Sequence, residues 1–440
     1  MNTTYPKFHF RPKKNWINDP NGTIYHKGFY HIFYQYNPTS DCWGNLHWGH
    51  ARTKDFINYE IINENLYPQK EEGETDCFSG CIALNKDNTP VALYTSVSLN
   101  NEEIPNIQKA VFFDENIIHF DNSRINSLTI DMENLPKIRN DFRDPYVFKA
   151  DDRYFLVLAA AIGDFQEPAV LLFESEDGSL TKWKYLKEII KFKPIIELFE
   201  CPNFFKIEDK WVLLGSPYSE VEYYVGTFDT NTLDFNIEKK GIIDHCAQYY
   251  ATNTIQDNNR TITFAFERGF SKNKGWNNVI SIPRELSIDK DNNLIQKPIS
   301  DLKNLRFNKF VNIPNLNLES IKQITDKKLT QCEIDFDIVL DDNLKTNLIF
   351  KYDNINLCQI LFSNTDVKFD SIFIPFNKKD KYHVKLFIDH SIIEIYLDDG
   401  KHCATRVIES LKDLNTLEFR GNYLIKNLSI YELNSLNIIE

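Results

Sequence analysis

The chain has 440 residues, 42% of them hydrophobic and 14% aromatic, and a formal net charge of -13. That length exceeds one ordinary core and points to two or three domains, and the wealth of Phe and Tyr leans towards strands. The acidic balance argues against nucleic acid as a partner, no run approaches the length of a membrane span, and eight scattered cysteines are no disulfide framework. Cys77 and Cys81 stand four apart but lack the second Cys/His pair of a zinc template, and His47 and His50 have no third ligand, so neither a metal nor a cofactor is expected. The first residues include Lys7, Arg11, Lys13 and Lys14 but no apolar stretch of signal-peptide kind, so the expected location is cytoplasmic.

In chain order, the first informative stretch is Trp16-Ile17-Asn18-Asp19-Pro20-Asn21-Gly22. Pro20 fixes its own φ and biases Asp19 towards extended backbone. Asn21-Gly22 reads as a turn. Tyr30, Ile32, Tyr34 and Tyr36 then alternate with His31 and Gln35, the period of a strand. Asp19 is therefore expected at the mouth of a hairpin. Taken alone, the motif reads first as an Asx-type turn.

The pattern returns at Phe78-Ser79-Gly80, Arg143-Asp144-Pro145, Glu200-Cys201-Pro202 and Tyr249-Tyr250-Ala251. Taking Pro20, Gly80, Pro145, Pro202 and Ala251 as equivalent, the spacings are 60, 65, 57 and 49 residues. Each interval has room for about four short strands. Five such units predict a five-bladed β-propeller, with Asp19, Ser79, Asp144, Glu200 and Tyr250 opening the innermost strands and facing one end of the channel. The repeat stops near Leu294, Asp301–Leu305 reads as a short linker helix, and alternating segments from Cys332 to Val407 read as a β-sandwich. The expected architecture is all-β: a propeller over 1–295, a linker over 296–312 and a sandwich over 313–440.

Three carboxylates in one cavity repel, so their proton affinities spread, as glycosidic cleavage by an acid and a nucleophile requires. Arg143 favours an ionised Asp144, the apolar neighbours Phe199 and Phe204 favour a protonated Glu200, and Asn18 and Asn21 offer hydrogen bonds to an ionised Asp19. Trp48 and Trp211 read as core. Trp43 and Trp276 lie among turn residues and are candidates to stack beneath a sugar ring. Arg268, Lys272 and Lys274 form a small basic group that reads either as a solvated loop or as a phosphate contact.

Trp16–Gly22, Phe142-Arg143-Asp144-Pro145 and Glu200-Cys201-Pro202 together resemble the three signature motifs of glycoside hydrolase family 32, the β-fructofuranosidases. Tyr34–Pro38, Trp43–Ala51, Phe78-Ser79-Gly80, Ile282–Leu286 and Asp389–Tyr396 extend the likeness over nearly the whole chain. The resemblance implies a five-bladed propeller followed by a sandwich, and a retaining reaction on sucrose, sucrose 6-phosphate or short fructans. It implies Asp19 as nucleophile, Glu200 as acid and base, and Asp144 as stabiliser of the transition state. Asn18, Gln35, Trp43, Phe78, Ser79, Arg143, Tyr250 and Trp276 match positions lining the fructose subsite. Gln248 departs from the acidic residue common at its position. Fructan exohydrolysis or fructosyl transfer would use the same carboxylates. A sugar-binding propeller without turnover is the reading from another functional class.

Overall fold

The computed structural model describes residues 5–98, 106–120, 126–131, 134–257, 259–318, 321–340, 345–421 and 423–440. Five sheets, antiparallel apart from short parallel edge strands, follow one another along the chain, and their innermost strands are Asn15–His26, Asp76–Leu84, Ile138–Ala150, Glu200–Ile207 and Tyr249–Gln256. Each inner strand packs against those of the blades on either side, the fifth against the first, which closes the ring. Two six-stranded sheets form the sandwich, around a core that includes Phe336, Phe350, Leu386 and Ile430. The chain is thus a five-bladed propeller followed by a sandwich. Blade five ends with Leu294–Pro298, a 3-10 helix covers Ser300–Leu305, and Arg306–Leu318 is the first sandwich strand. The connection is therefore shorter than residues 296–312.

Each inner strand carries a β-bulge at the same end. Asn18 and Asp19 oppose Gln35, Phe78 and Ser79 oppose Thr95, and Asp144 and Pro145 oppose Leu158. Cys201 and Pro202 oppose Gly215, and Ala251 and Thr252 oppose Ala265. A bulge breaks the alternation of faces and re-aims side chains. Two expectations are corrected here. Asn21-Gly22 is no turn: it lies inside the strand, where Gly22 has φ 53°, and the hairpin turns at Lys27-Gly28. The proline-based alignment also slips, because Asp19 is the second bulge residue, Asp144 the first, and Glu200 the last paired residue before its bulge.

Asp144, Cys201 and Ala251, the first bulge residues of blades three to five, have φ of 63°, 49° and 55°. Non-glycine residues reach this region at a cost of about 1–2 kcal/mol, so something must hold them. Each donates its N–H to a side chain of the preceding blade: Asp144 to Thr95 Oγ1 at 3.0 Å, Cys201 to Asp144 Oδ2 at 2.9 Å, and Ala251 to Ser216 Oγ at 3.1 Å. In blade four the acceptor is itself one of the three carboxylates.

The sandwich is joined to the propeller through buried charge. Asp389 accepts the backbone N–H groups of Lys7, Phe8 and His9 and the His9 Nδ1 proton at 2.9 Å. Glu394 faces His9 Nε2 at 3.1 Å and accepts Arg284 Nη2 at 2.8 Å, and Arg284 also donates to Asp244 at 2.9 Å. Arg284 is fully buried over the Tyr249 ring, 3.9 Å from its centroid. Removing one partner of such a set typically costs about 3–5 kcal/mol, because the other charge is left buried and unpaired.

Burial alone would push His9 down, but Glu267, Asp389 and Glu394 raise it to about 10. The folded state therefore holds this proton more tightly than the unfolded chain. The stability it contributes is complete below the unfolded value near 6.5 and is lost as pH rises through about 10. The thermal midpoint is expected to fall by on the order of 4 °C between pH 7 and pH 10. His9→Gln should melt lower at pH 7 and lose this part of the slope, as calorimetry across that range can check.

Candidate active site

The bulged ends of the inner strands surround a cavity of about 440 Å³. Its lining includes Asn18, Asp19, Gln35, Trp43, Phe78, Arg143, Asp144, Glu200 and Tyr250. Residues as distant in sequence as Asp19 and Glu200 therefore line one cavity.

Asp19 sits in a hydrogen-bonded ring that spans two blades. Asn18 Nδ2 donates to Asp19 Oδ1 at 3.0 Å and to Gln35 Oε1. Gln35 Nε2 donates to Ser79 Oγ at 2.8 Å, and Ser79 Oγ donates to Asp19 Oδ2 at 2.7 Å. Trp16 Nε1 donates to Asn18 Oδ1 at 2.8 Å and so fixes the amide's orientation. Ser79, expected in the fructose subsite, is absent from the cavity lining and acts through this ring by holding Asp19. The Cys201 thiol lies 3.6 Å from Asp19 Oδ2, and burial together with the neighbouring carboxylates pushes that thiol up, so it stays protonated and donates. Asn21 is no neighbour of this ring; its buried amide has no hydrogen-bond partner among the described residues. Burial raises Asp19, and the bonds from Ser79, Asn18 and Cys201 oppose that rise.

Glu200 receives donors on both oxygens. Tyr250 OH donates to Oε2 at 2.6 Å. Arg143 Nη2 and Tyr218 OH each donate to Oε1 at 3.0 Å. Arg143 also donates to Asp141 at 2.6 Å and to Tyr218 OH at 2.8 Å, so it is held from three sides. Arg143 does not keep Asp144 low, as its position in the sequence led one to expect. Burial is the larger effect and, with repulsion from Glu200 and Asp19, pushes Asp144 up to about 7.

Trp276 is absent from the cavity lining. The short strand Trp276–Asn277 runs parallel to the start of Asn15–His26, and the indole packs among Phe270, Val279, Ile392 and Val407, the last two from the sandwich. Trp43 does line the cavity, 58% exposed, edge-on to Phe78. Of the basic group, Arg268 faces the cavity, whereas Lys274 pairs with Glu409 of the sandwich. The sequence reading missed Trp16, Tyr218 and Phe266 in the lining, the support that Thr95 and Ser216 give to bulge backbones, and the Cys201 thiol on Asp19. Cys201 stands inside a motif already singled out. Tyr218 follows Pro217 in a loop, at φ 65°, with no periodic signal to mark it.

Away from the cavity, His9, Glu267 and Glu394 place one ligand atom each within 4.8 Å of one another. Arg284 and a protonated His9 already pair with Glu394 there, where the sandwich meets the propeller.

Residues 9–298 match the family profile Glycosyl hydrolases family 32 N-terminal domain, and residues 349–432 match Glycosyl hydrolases family 32 C terminal. The chain is 27% identical to a sucrose-6-phosphate hydrolase of Zymomonas mobilis, over 90% of this chain and 84% of that protein. It is 28% identical to a levanase of Bacillus subtilis, over 98% of this chain and 70% of that protein. Among solved structures, sucrose-6-phosphate hydrolase from Lactobacillus gasseri superposes with a TM-score of 0.85 at 21% identity, covering 99% of this chain and 94% of that one. Fructan 1-exohydrolase IIa from Cichorium intybus, a variant in complex with 1-kestose, superposes with a TM-score of 0.81 at 21% identity, covering 99% and 98%.

The raised Asp144 carries a stability consequence. The folded state binds its proton more tightly, so stability falls as pH rises from about 4 to about 7. Asp144→Asn keeps an oxygen for the Cys201 N–H and removes the buried charge. It should melt about 1–3 °C higher than the parent at pH 7, lose that advantage near pH 4, and turn over substrate far more slowly; paired melts at the two pH values test this.

Proposed function

The chain belongs to glycosyl hydrolase family 32 and is a glycoside hydrolase; from that premise we propose that it is a retaining β-fructofuranosidase acting on sucrose or sucrose 6-phosphate, with Asp19, Glu200 and Asp144 as its working carboxylates. The observation that carries this reading is the convergence of the three carboxylates on one cavity, each in a different hydrogen-bonding environment. The names of the relatives, sucrose-6-phosphate hydrolase and β-fructofuranosidase, support the substrate class.

In the first step an Asp19 oxygen attacks the anomeric carbon of the terminal fructosyl unit as its bond to the leaving oxygen breaks. Protonated Glu200 gives its proton to that oxygen, and a fructosyl ester on Asp19 results. In the second step Glu200, now ionised, takes a proton from water, the water oxygen bonds to the anomeric carbon, and Asp19 is released. Two inversions give net retention. The Asn18–Gln35–Ser79 ring supports the role of Asp19, because it holds the attacking carboxylate in place before substrate arrives. Donors on both oxygens of Glu200 stabilise the carboxylate that the first step creates. The tightly packed Asp144 is suited to hold sugar hydroxyls and face the positive charge that develops on the ring. Levanase and fructan 1-exohydrolase among the similar proteins keep exo-acting fructan hydrolysis as the alternative substrate reading. The transfer reading would differ only in which hydroxyl captures the ester.

Proton NMR of the first seconds of sucrose hydrolysis tests the stereochemistry. β-Fructofuranose should appear first and then mutarotate; initial release of the α anomer would contradict the covalent route. At high sucrose, equal amounts of free glucose and free fructose mark hydrolysis, and a deficit of fructose marks transfer.

A further inference from the structure

We propose that Arg268 recognises an anionic group on the leaving sugar, such as a 6-phosphate on the glucosyl unit, and so sets the preference between sucrose and its phosphate ester. The proposal rests on the β-fructofuranosidase reading of the same cavity. Two guanidinium groups line that cavity, Arg143 and Arg268. Arg143 is consumed by Asp141, Glu200 and Tyr218. Arg268 uses Nε alone, donating to the Ala247 carbonyl at 2.9 Å. Its two terminal nitrogens make no hydrogen bond or ion pair with any of the described residues, although the chain as a whole is acidic.

Its position fits a leaving group. The guanidinium lies on the Tyr250 ring, 4.1 Å from the centroid, and the hydroxyl of that tyrosine donates to Glu200. The leaving oxygen must stand at Glu200 to receive its proton, so Arg268 borders the cavity one stacked ring away from the bond that breaks. A guanidinium offers two parallel donors to a phosphate, and the cation–π contact orients it before the ligand arrives.

The segment that carries Arg268 is tied down from the sandwich. Gln248 accepts the Val407 N–H at 3.0 Å, and the Gln248 carbonyl accepts the Arg268 N–H at 2.9 Å. Glu409 accepts the Ser271 N–H at 2.7 Å and also pairs with Lys274. Gly269, at φ 112°, leaves room for the Gln248 amide, which would stand 2.2 Å from a Cβ at that position. Gln248 is neutral and so brings no carboxylate to compete for the guanidinium. Lys272 and Lys274 do not line the cavity.

The test is the ratio of kcat/KM for sucrose 6-phosphate to kcat/KM for sucrose, measured on the parent protein and on Arg268→Gln, Arg268→Lys and Lys272→Gln. Because both sugars meet the same preparation, the ratio does not depend on the fraction folded. The parent should favour the phosphate by roughly 10-fold or more, mainly through KM. Arg268→Gln should lose most of that preference, Arg268→Lys should keep part of it, and Lys272→Gln should keep it within about 2-fold. A parent that cleaves both sugars equally, or an Arg268→Gln ratio equal to the parent's, would overturn the assignment and leave the fructosidase reading standing. Release of fructose from neither sugar would overturn that reading, and the role of Arg268 with it.

Discussion

Everything the cavity does depends on one backbone constraint, the β-bulge that interrupts each of the five inner strands at the same end. A regular strand sends alternate side chains to opposite faces. The bulges re-aim Asp19 and Asp144 into the cavity that Glu200, the last paired residue before its own bulge, also lines. They need support, because three of them place a non-glycine residue at positive φ. That support comes from the neighbouring blade, through Thr95, Asp144 and Ser216. Asp144 thus has two tasks: it holds the Cys201 backbone and it presents a charge to the cavity. A ring of blades is suited to this, since blades two, three and four each lend the next the acceptor that holds its strained residue.

Electrostatics sets the cost of the arrangement. Gathering carboxylates in a buried cavity raises Asp19 and Asp144, so the folded chain is less stable near neutral pH than it would be with one charge fewer. The interface between the domains works in the opposite sense. There Arg284 and a protonated His9 sit among Asp244, Asp389 and Glu394. Despite burial, hydrogen bonds from His390 and His9 hold Asp389, and Arg284 and His9 hold Glu394, well below the usual range. The same interface reaches the rim of the cavity through Gln248 and Glu409, so the sandwich shapes the surface on which Arg268 is mounted.

Much of this was readable from the chain alone, and the failures have physical causes. Repetition of a short apolar hairpin around Asp19, Ser79, Asp144, Glu200 and Tyr250 identified the blade count and the converging residues, because the fold repeats the same local chemistry. Aligning the copies on proline slipped by a residue, because a bulge changes register without changing composition. Asn21 stands two residues from Asp19 in sequence, yet it is a paired strand residue whose buried side-chain amide does not bond Asp19. Trp276 sits among loop residues in sequence, yet parallel pairing with the first inner strand turns it towards the sandwich. Arg143 stands beside Asp144 in sequence and was expected to hold it ionised, but burial outweighs a single neighbouring charge. Tyr218 had no periodic or motif signal, since its place depends on where a loop from blade four crosses the cavity.

The central claim is that Asp19 forms a covalent bond to the fructosyl unit. Glu200→Ala removes the base that releases that ester, and β-D-fructofuranosyl fluoride needs no acid to expel its leaving group. Peptide mass spectrometry after rapid mixing of the two should find one hexosyl unit on the peptide that contains Asp19. A hexosyl unit on the Asp144 peptide instead, or turnover with no adduct on any peptide, would contradict the account.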